Sequence, residues 1–391
     1  MSEFAYITPK VLKWARESAK MSVDTAAGKV SVSVERFREW EEGSAFPTIR
    51  QAEKLANAYK RPFAVFFLPE IPDDFQTLRD FRKKGSKVLG TASIFIMREI
   101  QQKQAWISDY NKENGEVQAS FVGRFSIKDD PKVVAKDILN TLGIDPLHYS
   151  STKPLKEWLL KAEENGIFIS RTSFIHSRLK LDSEEIQGFA IADPYAPFVF
   201  INSDDWDAPQ LFTMVHELAH LWIAESGISN DIQPDLKAKD KYDPVELFSN
   251  KVAANALMPS EFIIKNKNAF EDTKHIFELA KRLGISSLAL LVKAYNLRLI
   301  PYDLYKDLKD TIEVEFQAFL KLEEEKQAKK KEEGRKTIVN SYLLQLNRNS
   351  RLFTQLILDF FRSGEVEPTL ASNLLNVKSN KFSKLEDILY K

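Results

Sequence analysis

The chain contains no cysteine. That excludes disulfides, thiolate metal sites and thiol nucleophiles, and it suits a reducing compartment. Net charge is also absent: 56 Lys and Arg offset 56 Asp and Glu over 391 residues, so no global field draws the protein to nucleic acid or to a membrane surface. No stretch approaches the ~18 apolar residues of a membrane-spanning helix, and Met1-Ser2-Glu3-Phe4 shows no basic segment leading into an apolar one. Glycine is sparse, with 13 scattered residues and no phosphate-cradling loop or nucleophile elbow among them. Together these absences predict a soluble cytoplasmic protein with no membrane partner. What is present, 43 % hydrophobic residues in a chain of this length, is enough for two or three domains with real cores.

Histidine is rarer still, at 5, yet two of the five fall in Phe212-Thr213-Met214-Val215-His216-Glu217-Leu218-Ala219-His220-Leu221-Trp222. Leu211, Phe212, Val215, Leu218, Ala219 and Trp222 recur at helical period, so the segment predicts a helix, with Asp204 and Asp207 near its start and Gly227 as its stop. On that helix the His216 and His220 imidazoles share one face, a turn apart. Two neutral histidines so spaced can hold one zinc ion, with Glu217 beside it as a proton acceptor. Imidazole and carboxylate on the core side of an apolar helix cost several kcal/mol unless something satisfies them.

In chain order, residues 1–70 predict a compact set of short helices. Thr8-Pro9 opens the first; Val23 to Val30 forms a second; Ser33 caps a third, Val34 to Glu42, which Gly43 ends; Pro47-Thr48 opens a fourth. Two short helices around a tight turn make a helix-turn-helix candidate, with Arg36 and Arg38 on the recognition helix as candidate DNA contacts. Glu35, Glu39, Glu41 and Glu42 on the same helix would repel phosphates, and residues 1–70 carry 11 Lys and Arg against 9 Asp and Glu, far from a basic module. A helical domain for protein contact or dimerisation is the competing reading.

Residues 71–90 read as a connector rich in proline, aspartate and lysine. Helices are expected over Ala92–Asn114, Pro131–Leu142 and Pro154–Asn165. Strands follow at Ile167–Arg171, Ile186–Asp193 and Phe198–Asn202, the last two joined as a hairpin through Pro194-Tyr195-Ala196-Pro197. His148 and His176, lacking partners at ligand spacing, read as surface residues.

Two histidines leave a catalytic zinc one protein ligand short. Downstream, Tyr242 to Ala254 predicts another helix, with Pro244 as its opener. Glu246 in its first turn is either an exposed acid favoured by the helix dipole or the third ligand. Asn250, one turn on, is a candidate to orient Glu246 or a histidine.

From Glu184 through Pro259 the sequence resembles the ImmA/IrrE family of zinc metallopeptidases. The likeness rests on Gly188-Phe189-Ala190, Phe198-Val199-Phe200-Ile201-Asn202, the His216-Glu217-x-x-His220 segment, Glu246-x-x-x-Asn250 and Leu257-Met258-Pro259. The N-terminal segment, with Trp40-Glu41-Glu42-Gly43, Pro47-Thr48 and Arg61 to Pro69, is similar to the Xre-type helix-turn-helix domain often fused to such peptidases. The resemblance implies Zn²⁺ held by His216, His220 and Glu246, Glu217 as general base, and a protein substrate, typically a helix-turn-helix transcriptional repressor whose cleavage releases stress or mobile-element genes. DNA, reached through the N-terminal domain, and a second copy of the chain are further partners it allows. Tyr242, close to Glu246 in sequence, and the more distant His275 are candidate oxyanion donors.

Beyond Asp310 the chain reads as helical again, with a mixed charge run over residues 323–333 and helices at Ile338–Arg362, Thr369–Leu375 and Phe382–Leu389. The whole predicts a helix-dominated α+β protein: a helix-turn-helix domain (1–70), a connector (71–90), a zincin-like metallopeptidase domain with a small β-sheet (91–305) and a C-terminal helical region (306–391). The alternative function is a DNA-binding transcriptional regulator or antitoxin-like protein with a non-catalytic metal site.

Overall fold

The computed structural model describes residues 3–74, 78–81, 86–230, 243–332 and 340–390. The chain is a helix-dominated α+β protein, divided into two compact units. One comprises Met1–Thr77, Lys87–Gln101 and Phe174–Glu185; the other comprises Leu78–Ser86, Gln102–Ser173 and Ile186–Lys391.

The first unit holds α1 (Pro9–Ser18), α2 (Val23–Val30), α3 (Val34–Glu42) and α4 (Ile49–Tyr59). Their ends follow local chemistry. The Ser22 and Ser33 hydroxyls accept from the third N–H of α2 and α3, Thr48 and Gln51 form a reciprocal capping box on α4, and Gly43 closes α3 at φ +82°. Val11, Leu12, Ala15, Ala27, Phe37, Trp40, Leu55 and Tyr59 fill the space between these helices. Within this core Arg16 makes two hydrogen bonds to the Glu41 carboxylate, at 2.7 and 3.1 Å. That pairing explains why one of the four acids of α3 is turned inward. Arg36 and Arg38 are exposed, and Arg36 is taken up by Glu39 on its own helix at 2.6 Å. The unit also contains the start of the long helix α5 (Thr91–Glu113), where Glu185 accepts from the Gly90 N–H and the Ser93 hydroxyl.

The second unit is built on a five-stranded mixed sheet. Its strands are β1 (Arg79–Asp80), β2 (Phe168–Thr172), β5 (Gly188–Ile191), β6 (Phe198–Asn202) and β7 (Gly227–Ser229), in the order β1-β7-β5-β6-β2. A separate two-stranded hairpin, β3 (Phe174–His176) with β4 (Leu179–Lys180), belongs to the first unit. β5 and β6 pair antiparallel as the expected hairpin, with Phe189 opposite Phe200. The β3–β4 hairpin was not expected, and neither were two strands of the five-stranded sheet. β7 pairs antiparallel with β5, and β1, within the stretch read as a connector, pairs parallel with β7 as the edge strand.

Every residue of β5 and β6 is buried, as for strands covered on both faces. Ile169, Ala190, Val199 and Ile201 join the core of α8 (Asp207–Trp222), while Phe168 and Phe198 stack on each other and meet the edge of Phe353. Phe353 comes from the C-terminal region, whose helices α14 (Ser341–Asn349) and α15 (Arg351–Ser363) pack on β2. The single helix expected over Ile338–Arg362 is broken at Ser350, which sits at φ +76° and caps α15 through its hydroxyl. The remaining helices are α6 (Pro131–Leu142), α7 (Pro154–Glu164), α9 (Pro244–Leu257), α10 (Ser260–Lys265), α11 (Thr273–Leu283), α12 (Ser287–Asn296), α13 (Tyr302–Glu332), α16 (Pro368–Leu375) and α17 (Phe382–Leu389). Among the described residues no helix is long and apolar enough to cross a membrane.

Candidate metal centre

The site lies where α8 and α9 pack together against the sheet. α8 is apolar almost throughout, and every residue from Gln210 to Trp222 is buried, so its polar side chains are held in the core by the packing of their neighbours. It ends with Ala224 in the left-handed region at φ +54°, short of the expected stop at Gly227. Gly227 instead opens β7. Its missing side chain serves close packing, because a Cβ there would fall 2.1 Å from the Phe81 ring.

His216 and His220 are wholly buried, and Glu246, in the first turn of α9, is 2 % exposed. That burial removes the reading of Glu246 as an exposed first-turn acid. Asp243 and Pro244 set the start of α9, the Asp243 carboxylate accepting from the Val245 N–H, and so direct Glu246 inward. The His216 and His220 Nε2 atoms are 3.1 Å apart; each meets a different Glu246 oxygen, at 3.3 and 3.2 Å. Three donors around one tetrahedral ion, with bonds of about 2.1 Å, stand about 3.4 Å from one another. The observed triangle is close to that size, and among the described residues this is the group of His, Asp and Glu side chains able to hold a metal ion.

Asn250 Oδ1 lies 3.0 Å from His216 Nδ1 and accepts its proton, which turns the Nε2 lone pair toward the cluster. The Ser229 hydroxyl of β7 donates to Glu246 Oε1 at 3.1 Å. Burial on its own would raise the Glu246 carboxyl, but the charge and hydrogen bonds of the two histidines overcome this and hold it at about 2.

Glu217 is the unbalanced member. Both of its carboxylate oxygens are buried without a hydrogen-bond partner. Burial, and then the negative Glu246, push its carboxyl well above the usual range, although the nearby Ser229 hydroxyl, which is bonded to Glu246, pulls the other way. Space for it comes from Gly188 on β5, where a Cβ would stand 2.7 Å from Glu217 Oε1 and 2.8 Å from the Thr213 methyl. Two buried carboxylates with a ready donor triangle beside them fit a divalent cation: it would use the triangle and offset the charge.

Other sequence candidates fall elsewhere. Tyr242 lies outside the described residues. His275 is exposed and bonded to Asp272 at 2.7 Å; His148 is exposed and bonded to Asp145 at 2.8 Å. Sequence reasoning missed Ser229 and Phe81. Phe81 is buried, and its ring stacks on the His220 imidazole with centroids 5.3 Å apart at 28°. The available signal was one aromatic residue set among Arg79, Asp80, Arg82, Lys83 and Lys84. Ser229 ends a strand of three residues, too short to show a period.

Residues 162–295 match the family model for the IrrE N-terminal-like domain, a peptidase family (Peptidase_M78). The matched region contains β5, β6, α8, β7 and α9, and hence the donor triangle, Glu217 and Asn250. No curated protein matches the chain.

Proposed function

From a peptidase-family domain over residues 162–295, we propose that this chain is a zinc-dependent endopeptidase acting on a regulatory protein, a helix-turn-helix transcriptional repressor whose cleavage relieves repression of stress or mobile-element genes. The observation that carries the reading is the buried triangle of His216, His220 and Glu246 with the unbonded Glu217 carboxylate beside it. In this reading the triangle holds Zn²⁺, which supplies Lewis-acid polarisation of the scissile carbonyl and of water. Glu217 takes the proton from the attacking water and delivers it to the leaving amine nitrogen. Asn250 keeps His216 in the tautomer that presents Nε2.

For the N-terminal helices we propose contact with the substrate repressor or its operator, with Arg38, and Arg36 once released from Glu39, as the cationic contacts. Cytoplasmic location and a homodimer complete the proposal. Metal analysis of the purified chain, together with cleavage of the candidate repressor by wild type and Glu217→Gln, tests it. One zinc per chain and loss of cleavage in the variant are expected; full cleavage by Glu217→Gln would reject the mechanism.

The deep burial of the triangle favours a second reading, a DNA-binding or antitoxin-like regulator whose metal is structural. A mobility shift of operator DNA that persists after zinc removal, in a chain that cuts nothing, would establish it instead.

A further inference from the structure

A peptidase must expose its metal and its base to an extended substrate, yet here His216, Glu217 and His220 are wholly buried. An extended peptide is most simply held by main-chain hydrogen bonds along a free strand edge beside the reacting groups. β5, which lies against Glu217, is paired on both edges, and its neighbour β7 reaches the site through Ser229, which bonds Glu246. One edge of β7 is paired with β5. The other edge is taken by the chain itself: Arg79 pairs with Gly227 and Asp80 with Ile228, and the Phe81 N–H donates to the Ile228 carbonyl at 3.1 Å. The Phe81 ring then lies flat on His220.

We infer that Leu78–Phe81 is an autoinhibitory strap: it occupies the β7 edge in place of substrate, Phe81 closes the site over His220, and cleavage proceeds only from the minor state in which the strap has left. This rests on the metallopeptidase reading above. The fit is specific at one end and weak at the other. Gly227 is shaped for the aromatic ring, since a Cβ would stand 2.1 and 2.2 Å from two of the Phe81 ring carbons. The strand itself is two residues long. Arg79 clamps it at the surface, its guanidinium lying 4.6 Å from the Phe81 ring centroid and 3.2 and 3.5 Å from Glu225 and Asp243. The Arg79 side chain is 56 % exposed, and ion pairs so exposed to solvent add little. A short strand with a surface clamp can be displaced without unfolding the sheet behind it.

The test uses full-length, zinc-loaded protein as wild type, Phe81→Ala and Arg79→Ala. Two rates are read: zinc loss to a chromogenic chelator, and hydrolysis of a quenched, unstructured peptide. Circular dichroism and melting temperature are followed alongside. If the open form is a minor state of at most about a tenth, releasing the strap raises both rates roughly tenfold or more in Phe81→Ala, with a smaller rise in Arg79→Ala. A purely structural Phe81 would lower the melting temperature and leave both rates of the folded protein unchanged, and that result overturns the inference. Should Phe81→Ala not fold, Arg79→Ala decides, because its side chain lies outside the core. A wild-type chain that takes up no zinc would instead overturn the metallopeptidase reading itself.

Discussion

Asn250 on α9 holds its side-chain oxygen 3.0 Å from Nδ1 of His216 on α8, while Glu246, one turn earlier on α9, meets Nε2 of the same ring at 3.3 Å. One helix thus grips both nitrogens of one imidazole. The first grip selects the tautomer and the second completes the donor triangle.

If that arrangement serves a metal, Asn250→Ala frees the His216 ring to rotate and to take the other tautomer. Zinc affinity is expected to fall about 10- to 100-fold, the usual cost of losing such a partner. Competition with a chromogenic chelator measures it. An unchanged affinity would show that the 3.0 Å contact is incidental.

Gly188→Ala places a methyl group 2.7 Å from Glu217 Oε1 and 2.8 Å from the Thr213 methyl. Both neighbours belong to α8, which has no free direction in which to retreat. Overpacking of this kind costs about 1–3 kcal/mol, and Glu217 would be displaced from its place beside the triangle. Hydrolysis should be lost while zinc content is retained, a separation that assays of metal and cleavage on one preparation resolve. Wild-type cleavage by Gly188→Ala would count against Glu217 as the base.

Removing metal should destabilise the second unit. A ligand at about 1,000 times its Kd contributes roughly 4 kcal/mol to the folded state. Without it the buried Glu217 and Glu246 carboxyls lose the cation that would offset them. Titration with EDTA followed by differential scanning fluorimetry should lower the melting temperature, and re-addition of zinc should restore it. A melting curve indifferent to chelator would argue that no ion is bound.

Lys293 on α12 offers a test far from the metal. Burial, and then the nearby Lys132, hold its ammonium down to about 8, with one hydrogen bond to Asn255 at 2.7 Å as compensation. The unfolded chain keeps the ordinary lysine value, so between about 8 and 10.5 the unfolded state binds more protons, and Lys293 contributes rising stability as pH increases. Below 8 the full cost of a buried charge is present. Lys293→Met should therefore be more stable than wild type at pH 7, by roughly 1–3 kcal/mol. The gap should narrow toward pH 10.5. Urea melts at pH 7 and 10 measure it; a gap that widens with pH would contradict the assigned direction.

Much of this protein could be read along the chain because it depends on neighbours in sequence. Ser22, Ser33, Thr48 and Gly43 set the ends of α2, α3 and α4 by bonds spanning three or four residues, and the apolar period of α8 required a helix with His216 and His220 on one side. The β5–β6 hairpin follows from two β-branched and aromatic runs around a proline-bearing turn. Whether Glu246 is an exposed acid or a buried one was open in sequence. It became definite only when α9 packed on α8, since a first-turn carboxylate is equally comfortable in water at a helix N-terminus. The C-terminal break at Ser350 depends in the same way on the packing of α14 and α15 against β2. Residues 78–81 are the clearest case. Two charged residues and a lone phenylalanine carry no periodic pattern, and a two-residue parallel strand has no local signal, because both its hydrogen bonds and the seat of its ring come from Gly227 and Ile228, well over a hundred residues away.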